Sequence, residues 1–490
     1  RGYGEEPVKQ EPSKAEEVKE ELSETYHALM INGEAIRYKA SAGTMLLKDE
    51  KQKPKAAVFY IAYTKEGVED VSNRPITFCF NGGPGSSAVW LHLGVLGPKR
   101  VDLTDDGYSL PPYRVLNNEH SLLDVTDLVF IDPVSTGYSR AVSDEDPKKF
   151  HGVDGDIKSV AEFIRLYVTR NLRWGSPKFL AGESYGTTRA AGLAGHLQDE
   201  HRMYLNGVML VSSVLNYQTL WDDQGGNDLP YLLFLPTFSS TAWYHKKLPP
   251  DLQEKSLKAV LAEVEDFAIN EYSLALLKGE KLSERERLEM VRKLARYTGL
   301  SLEYIKRANL RIDIHRYCKE LLREEERTVG RFDSRQKGIE SDLCGEHIEN
   351  DPSLDAIMGG FTAAFNQYVR GELKWEKDEP YKVLTREVWP WDFGTAKSTF
   401  LNVSETLRDA MTRNPELKVF VGSGYYDLAT PYFATDYTFN HLGLDSSLLG
   451  HVTMEYYDAG HMSYTHLPSL KKMKEDLSKF IKASVKQKNS

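Results

Sequence analysis

The segment KFLAGESYG, residues 178–186, decides how the rest of the chain is interpreted. Lys178–Ala181 predicts a short strand, and Thr187–Leu197 can form a helix. Between them, Gly182-Glu183-Ser184-Tyr185-Gly186 places a serine at a sharp strand-to-helix turn, which the flanking glycines make without Cβ clashes. A bystander serine in a glycine-rich corner is the alternative. The strand–helix context favours an exposed, reactive Ser184 hydroxyl above a sheet.

Other short apolar runs lie around this strand, separated by segments long enough to be helices. Because the runs are continuous rather than alternating, they indicate strands buried on both faces of a mainly parallel sheet with flanking helices. The runs are Ile76–Phe80, Leu128–Ile131, Lys178–Ala181, Val208–Val211, Lys418–Val421 and Val452–Tyr457. Ahead of them, His27–Ile31, an Asn32-Gly33 turn and Glu34–Ala40 predict a hairpin, and Ala56–Tyr63 predicts a further strand.

The strand pattern stops between residues 222 and 389, where a mostly helical insertion is predicted. Ser283–Arg296 and Leu302–Arg327 are charged and helical in pattern. A further apolar stripe falls at helical spacing on Leu257, Val260, Leu261, Val264, Phe267 and Ala268. An insertion beside the ends of sheet strands is well placed to roof a site.

The expected organisation has three parts. Residues 1–24 form a disordered segment, because they are charged and almost free of large apolar groups. Residues 25–221 and 390–490 form the α/β core, and residues 222–389 form the helical cap. The chain begins with an arginine instead of an initiator methionine, which indicates a processed or truncated form. Together with the solvated N-terminal segment, this favours export to a periplasm or the exterior, with a cytoplasmic location as the alternative.

Composition excludes several partner classes. The net charge of −10 over 490 residues argues against nucleic acid and anionic membranes, which reward dense positive charge. No apolar stretch approaches the roughly 20 residues needed to span a bilayer. Cys79, Cys318 and Cys344 share no metal-ligand spacing and allow at most one disulfide, and Cys79 is expected to be a buried thiol. We expect no metal and no cofactor, and a homodimer is compatible with the sequence.

A serine nucleophile needs a base, and the base needs an orienting carboxylate, in the chain order Ser, Asp or Glu, His for this fold. Asp427 and His461 follow the last two predicted strands and therefore reach the same sheet edge as Ser184. The rival residues are His441, His451, His466, Asp436 and Asp458. The Gly460-His461 pair at the correct edge favours His461.

A second loop, Asn81-Gly82-Gly83-Pro84-Gly85, follows the strand Ile76–Phe80. Its bare N–H groups, with that of Tyr185, could point at a developing oxyanion. A β-turn or a phosphate loop is the alternative, and no Gly-Lys-Ser/Thr follows to support a phosphate loop.

Together these motifs resemble the serine carboxypeptidases, peptidase family S10, members of the α/β-hydrolase superfamily. The resemblance covers nearly the whole chain from about residue 25. It rests on NGGPGSS (81–87), LGP (96–98), FIDPVSTGYS (130–139), GESYG (182–186), the Asp427 region and AGHM (459–462). The helical insertion with VGRFDSR (329–335) is similar to the bacterial branch.

The resemblance implies specific roles for these residues. Ser184, Asp427 and His461 would form a catalytic triad, and the N–H groups of Gly83 and Tyr185 an oxyanion hole. Asn81 and Glu183 would bind the carboxylate of a peptide with a free C-terminus. The implied activity is a serine-type carboxypeptidase, with an esterase or acyltransferase on the same scaffold as the alternative and a non-catalytic binding protein as the third.

Three positions depart from the family pattern. Cys79 stands where the family usually has tryptophan, Val95 where it has a second acidic partner for the carboxylate site, and Ser86 where it has a cysteine. Without a second acid, the repulsion that would hold a proton on the pair is lost. We therefore predict that Glu183 titrates closer to an ordinary glutamate and that recognition of the C-terminal carboxylate is weakened or differently built.

Overall fold

The structure, a computed structural model, describes residues 18–142, 144–222, 225–394 and 399–485. Most of the segment predicted to be disordered, residues 1–17, lies outside these ranges. The predicted boundary at residue 24 is wrong, because the first strand begins at Leu22 and pairs there with Gly43. Backbone pairing orders this stretch although its side chains alternate between exposed and partly buried.

A strand covers each of the six apolar runs named above. In chain order they are β1 (Leu22–Ile31), β2 (Glu34–Lys48), β3 (Pro54–Lys65), β4 (Ile76–Phe80), β5 (Lys99–Val101), β6 (Val115–Asn117), β7 (Asp127–Ile131), β8 (Arg140–Ala141), β9 (Lys178–Ser184), β10 (Gly207–Ser213), β11 (Thr328–Val329), β12 (Lys337–Gly338), β13 (Lys418–Gly424) and β14 (Val452–Tyr457). The predicted hairpin is formed by β1 and β2, whose residues Ile31 and Glu34 pair across the turn.

Ten strands form the main sheet within the described residues, in the order β1-β2-β3-β7-β4-β9-β10-β13-β14, with β8 beside β3. β1, β2, β3 and β7 pair antiparallel, whereas β7, β4, β9, β10, β13 and β14 pair parallel. Because the parallel strands end at one edge, the residues that follow β4, β9, β13 and β14 are brought together there.

Helices cover both faces of the sheet and form the insertion. They are α1 (Val89–Leu91), α2 (Val153–Arg170), α3 (Tyr185–His201), α4 (Leu229–Tyr244), α5 (Pro250–Gln253), α6 (Leu257–Phe267), α7 (Ser273–Lys278), α8 (Glu284–Thr298), α9 (Leu302–Arg307), α10 (Ile314–Glu320), α11 (Pro352–Gly371), α12 (Ser404–Arg413), α13 (Tyr432–Asn440) and α14 (Leu467–Ser484). Among the described residues, no helix is both long and apolar enough to cross a membrane.

Neighbouring residues of each parallel strand enter different hydrophobic clusters. Leu180 of β9 packs with α2, α3 and α12, while Ala181 belongs to the cluster on the opposite face, which α11 and α14 cover. Both side chains are almost completely buried. A strand buried on both faces has no polar face, which is why these runs are continuously apolar.

The insertion departs from the expected cap in two places. The pattern at Leu302–Arg327 predicts one helical stretch, but α9 ends at Arg307 and α10 begins at Ile314. Asn309 adopts a φ of 49° between them, and the Asp313 carboxylate caps α10 by accepting the Arg316 N–H at 2.8 Å. A positive φ and a helix cap interrupt the helical path.

The second difference concerns α11, which lies inside the range predicted as cap. The helices α4, α6, α8 and α10 share a hydrophobic cluster of their own, but α11 packs into the cluster beneath the sheet. The Phe361 ring lies 4.9 Å from that of Trp90, and the Tyr368 hydroxyl is 2.9 Å from that of Tyr63. By packing, α11 therefore belongs with the sheet, although it lies inside the range predicted as cap.

Candidate active site

Ser184 occupies the sharp turn that the sequence predicts. It is the last residue of β9, Tyr185 begins α3, and the φ of Ser184 is +60°, a conformation that is strained for a non-glycine residue. A Cβ at Gly182 would lie 2.2 Å from the Gly186 carbonyl oxygen, and one at Gly186 would lie 2.9 Å from the Asn81 carbonyl oxygen. Only glycine fits at both flanking positions, which explains the spacing of the motif.

His461 and Asp427 form a hydrogen-bonded pair beyond the ends of β14 and β13. The imidazole Nδ1 lies 2.8 Å from Asp427 Oδ2, and both side chains are buried. The other carboxylate oxygen accepts the N–H groups of Ala429 at 2.8 Å and Thr430 at 2.9 Å. Because a carboxylate only accepts, Nδ1 carries the imidazole proton, and Nε2 remains available as a base.

Ser184 and His461 line one cleft. Within the described residues no hydrogen bond joins the Ser184 hydroxyl to the imidazole. Hydrogen bonds between a nucleophile and its base often tighten only when substrate binds. Burial lowers the pKa of His461, but the Asp427 carboxylate and the charge of Glu183 outweigh burial and leave this pKa above its usual value. The Asp427 carboxylate thus stabilises the positive charge that the imidazole acquires when it accepts a proton.

The rival residues do not reach this cleft. The His441 ring contacts the carbonyl oxygen of Tyr437, and that of His466 contacts the Ser469 hydroxyl. Asp436 accepts a hydrogen bond from the Tyr456 hydroxyl. None of the five rivals, His441, His451, His466, Asp436 and Asp458, lines the cleft in the part of the chain that the structure describes.

Gly83 and Tyr185 present free N–H groups at the cleft. Gly83 has a φ of +98°, and a Cβ there would lie 2.7 Å from the Gly85 nitrogen. The loop also packs against the serine turn, since a Cβ on Gly82 would lie 2.4 Å from the Tyr185 nitrogen. Neither the Gly83 nor the Tyr185 N–H donates to any described residue, so both can bind an anionic oxygen.

Glu183 differs from the prediction made at the sequence level. Asn81 Nδ2 donates to its Oε1 at 2.9 Å, and its buried Oε2 forms no close hydrogen bond among the described residues, although the Tyr464 hydroxyl interacts with this carboxyl. Burial raises the pKa of Glu183 to about 7, against the smaller lowering effect of His461. The prediction that Glu183 titrates closer to an ordinary glutamate is therefore wrong. Burial raises its pKa, as repulsion from a second acid would.

Val95 takes no part in the cleft. It is buried in the turn His92–Leu96 among residues of the core. The adjacent Gly94 packs on the Tyr464 ring, since a Cβ there would lie 2.3 Å from a ring carbon. Tyr464 lies beside Glu183 and is buried as well. Tyr464 was not predicted as a site residue; the available signal was an aromatic residue three positions after His461.

The other two departures are also explained by packing. Cys79 is a buried free thiol that faces the core, as expected. The Ser86 hydroxyl accepts a hydrogen bond from Trp90 Nε1 at 3.0 Å. Cys79, Cys318 and Cys344 are all free in the structure.

Arg189 is a site residue that sequence reasoning missed. Its Nη1 donates to the Asn81 carbonyl oxygen at 2.5 Å, and its Nε donates to Asp156 Oδ2 at 2.7 Å. The guanidinium carbon lies 5.3 Å from the ring centroids of both Phe80 and Tyr185. Arg189 therefore ties α3 to the loop that follows β4. A lone arginine in the apolar run after the serine motif was the available signal.

The cleft walls are mainly aromatic and aliphatic, with few charged groups. The apolar lining residues are Pro84, Trp90, Val214, Tyr217, Leu220, Trp221, Phe332, Leu354, Leu384, Trp389, Phe393, Ala429 and Met462. Glu183, His461 and Arg331 are the ionisable side chains apart from tyrosine among the described lining residues. No cluster of ligands that could hold a metal ion is found in the described ranges.

The strand order, the serine turn after β9 and the positions of Asp427 and His461 define an α/β-hydrolase. The model of the serine carboxypeptidase family, S10, matches residues 34–458, and the chain belongs to this family. The family assignment thus agrees with the resemblance in the motifs.

Individual relatives are distant. Serine carboxypeptidase-like 36 of Arabidopsis thaliana is 28% identical over 179 residues, 35% of this chain and 34% of the relative. Pheromone-processing carboxypeptidase KEX1 of Komagataella phaffii is 26% identical over 187 residues, 36% of this chain and 26% of that protein. The matches thus span about a third or less of these two relatives. Both are eukaryotic proteins, so the bacterial branch stays a prediction.

One solved structure has the same fold over nearly its whole length. The crystal structure of KEX1(delta)p, a prohormone-processing carboxypeptidase from Saccharomyces cerevisiae, aligns with a TM-score of 0.57 at 16% identity. The alignment covers 91% of this chain and 92% of that one.

Proposed function

We propose that the protein is a serine-type carboxypeptidase that removes C-terminal residues from peptides. One observation carries this proposal: the hydrogen-bonded pair of His461 and Asp427 opens onto the same cleft as Ser184. Family membership supports the reaction class. The aromatic walls of the cleft suit peptide side chains.

Acylation would begin with proton transfer from the Ser184 hydroxyl to His461 Nε2. The serine oxygen attacks the carbonyl carbon of the last peptide bond, and the N–H groups of Gly83 and Tyr185 bind the resulting oxyanion. The C–N bond then breaks, and His461 gives its proton to the departing amine. Asp427 stays ionised and holds the imidazole in the required tautomer. An ester to Ser184 remains.

Deacylation uses the same groups in reverse. His461 takes a proton from water, and the hydroxide formed attacks the ester carbonyl, again with its oxygen bound by Gly83 and Tyr185. The C–O bond to Ser184 breaks, and the serine regains its proton from the imidazole. The products are a shortened peptide and a free amino acid, and no cofactor is required.

Asn81 and Glu183 are the groups we assign to the terminal carboxylate. A carboxyl group can donate a hydrogen bond to a carboxylate only while it carries a proton. Glu183 lines the cleft, and with a pKa of about 7 it stays protonated below neutral pH and can then donate that proton. Asn81 Nδ2 donates to Oε1 and so orients the Glu183 carboxyl, and the Tyr464 hydroxyl interacts with both side chains.

An esterase or acyltransferase on the same scaffold is the second candidate. Val95, at the position of the family's second acid, is buried in the core, so one carboxylate contact is missing. An N-blocked peptide with a free C-terminus, its amide and a simple ester separate the candidates. Release of single residues from the free acid, with slower but measurable cleavage of the amide, supports the carboxypeptidase, whereas turnover of the ester alone supports the alternative.

A non-catalytic binding protein is tested with the same assays. A wild-type protein that cleaves nothing and never reacts with a fluorophosphonate would support that reading. The predicted export, the homodimer and the division into core and cap stay predictions.

A further inference from the structure

Arg331 brings a positive charge into a cleft that is otherwise apolar or acidic. Among the described residues that line the cleft, it has the only side chain that is cationic at every pH. It is partly buried, and Leu354 and Phe332 line the cleft with it. The mechanism proposed above assigns this arginine no role.

The backbone around Arg331 is fixed by three anchors. The N–H groups of Arg331 and Phe332 both donate to the Asp351 carboxylate, at 3.2 and 3.3 Å. The Arg331 carbonyl oxygen accepts the Leu428 N–H at 3.0 Å, one residue after Asp427. The Phe332 carbonyl oxygen accepts the His461 N–H at 2.6 Å. Arg331 is thus held in register with the predicted catalytic pair.

Among the described residues, the Arg331 guanidinium has no ionic partner. Within the described ranges it forms no salt bridge and donates no hydrogen bond, and its contact is the Phe332 ring, 4.7 Å from the guanidinium carbon. Asp351 is engaged by backbone N–H groups and by Ser353. Arg335, four residues further on, is by contrast neutralised by Asp333 at 2.6 Å. A partly buried arginine without a counter-charge is suited to bind an anion brought by a ligand.

The position of Arg331 indicates which part of a substrate supplies the anion. The Phe332 ring lies 5.0 Å from the His461 imidazole, so Arg331 and Phe332 lie on the side of the cleft that carries the imidazole. The imidazole protonates the departing amine, so the leaving residue lies on this side. The charge of Arg331 is near enough to lower the pKa of His461 slightly, against the larger effects of burial and Asp427.

We infer that Arg331 binds a carboxylate of the residue that is released and thereby selects the substrate. The inference rests on the proposed carboxypeptidase function. A guanidinium binds a carboxylate through two parallel N–H···O bonds whatever the pH, whereas Glu183 repels a carboxylate once it has lost its proton. The bound group is either the terminal α-carboxylate or an acidic side chain of the last residue.

The test compares kcat/KM at pH 8 for four N-blocked dipeptides: Phe-Leu, Phe-Leu amide, Phe-Glu and Phe-Gln. The variants are Arg331→Gln, Arg331→Lys and a matched control, Arg327→Gln, whose arginine donates to the Glu326 carbonyl oxygen outside the cleft. The rate of fluorophosphonate labelling reports whether each variant keeps an intact site.

If Arg331 binds the α-carboxylate, Arg331→Gln lowers kcat/KM about 10- to 100-fold for all three free acids and leaves the amide unchanged. If it binds a side-chain carboxylate, the loss is confined to Phe-Glu. Either result supports the inference and identifies the source. Arg331→Lys recovers part of the loss, and Arg327→Gln behaves like the wild type.

An equal loss on acids and amide, or no loss on any acid, overturns the inference while the carboxypeptidase function stands. A wild-type protein that releases no residue from any peptide and does not label overturns the proposed function, and the role of Arg331 with it. The two failures are therefore distinguishable in one experiment.

Discussion

The guanidinium of Arg189 donates to the carbonyl oxygen of Asn81 at 2.5 Å and so joins the helix after the serine turn to the loop that carries Gly83. The same side chain is paired with Asp156 and is almost completely buried. Arg189 therefore does two things: it holds the loop of the predicted oxyanion hole in place, and it neutralises the buried Asp156 carboxylate.

Replacing this arginine should affect both stability and turnover. Arg189→Met leaves the Asp156 carboxylate buried without a partner, and we expect a loss of about 3–5 kcal/mol in the free energy of unfolding. Urea denaturation measures it. The double variant Arg189→Met/Asp156→Leu removes the orphaned charge and should regain much of the stability but not the kcat, because the Asn81 carbonyl stays unsupported. A double variant with wild-type kcat would contradict this role.

Gly83→Ala tests the predicted oxyanion hole. The added Cβ would lie 2.7 Å from the Gly85 nitrogen at a φ of +98°, so the loop must shift and move its N–H. We expect kcat to fall roughly 10²- to 10³-fold with little change in KM. Gly371→Ala is the matched control, since nothing lies within 4 Å of a Cβ there. Equal kinetics of the two variants would remove Gly83 from the mechanism.

Asp427→Asn tests the orienting carboxylate. The amide no longer enforces the tautomer that leaves His461 Nε2 free, and we expect kcat to fall roughly 10⁴-fold. Asp436→Asn, which alters a carboxylate bonded to Tyr456, should lose less than about threefold in kcat because it lies outside the cleft. Steady-state kinetics on one ester substrate compares them. A larger loss in the Asp436 variant would mean that the predicted acid is wrong.

The pH profiles of peptide and ester hydrolysis should differ on the alkaline side. Glu183 has a pKa of about 7, so at higher pH its negative charge repels a free terminal carboxylate. Peptide kcat/KM should therefore decline above pH 7, while an ester without a carboxylate keeps its rate. On the acid side both should decline together, because His461 must be neutral and its pKa is raised. Glu183→Gln should abolish the alkaline difference, and identical alkaline limbs in the wild type would contradict the assignment.

Much of the fold follows from local sequence patterns. Ile76–Phe80 and Val452–Tyr457 are predicted with the bounds that the structure shows, although the first is fully buried and the second is a partly exposed strand at the sheet edge. The helix break after Arg307 was not predicted, since charged residues with helical spacing do not reveal a left-handed residue such as Asn309. The packing of α11 beneath the sheet is a long-range contact and leaves no local signal.

The candidate site divides in the same way. Ser184, Asp427 and His461 follow from strand ends and chain order, and the structure brings them to one edge. The protonation of Glu183 was mispredicted because a missing neighbour is visible in sequence, whereas burial is not. The roles of Arg189 and Arg331 were not predicted, because they depend on three-dimensional contacts. Arg189 donates to the Asn81 carbonyl oxygen, and Arg331 has no counter-charge among the described residues.

The most direct test of the account is covalent labelling of the wild-type protein with a fluorophosphonate, followed by peptide mapping by mass spectrometry. We expect one adduct per chain, located on Ser184, with no adduct on Ser184→Ala and a roughly 10⁶-fold lower kcat for that variant. Wild-type labelling should slow strongly when His461 is replaced by alanine. An adduct on another residue, or peptide turnover that survives Ser184→Ala, would contradict Ser184 as the nucleophile.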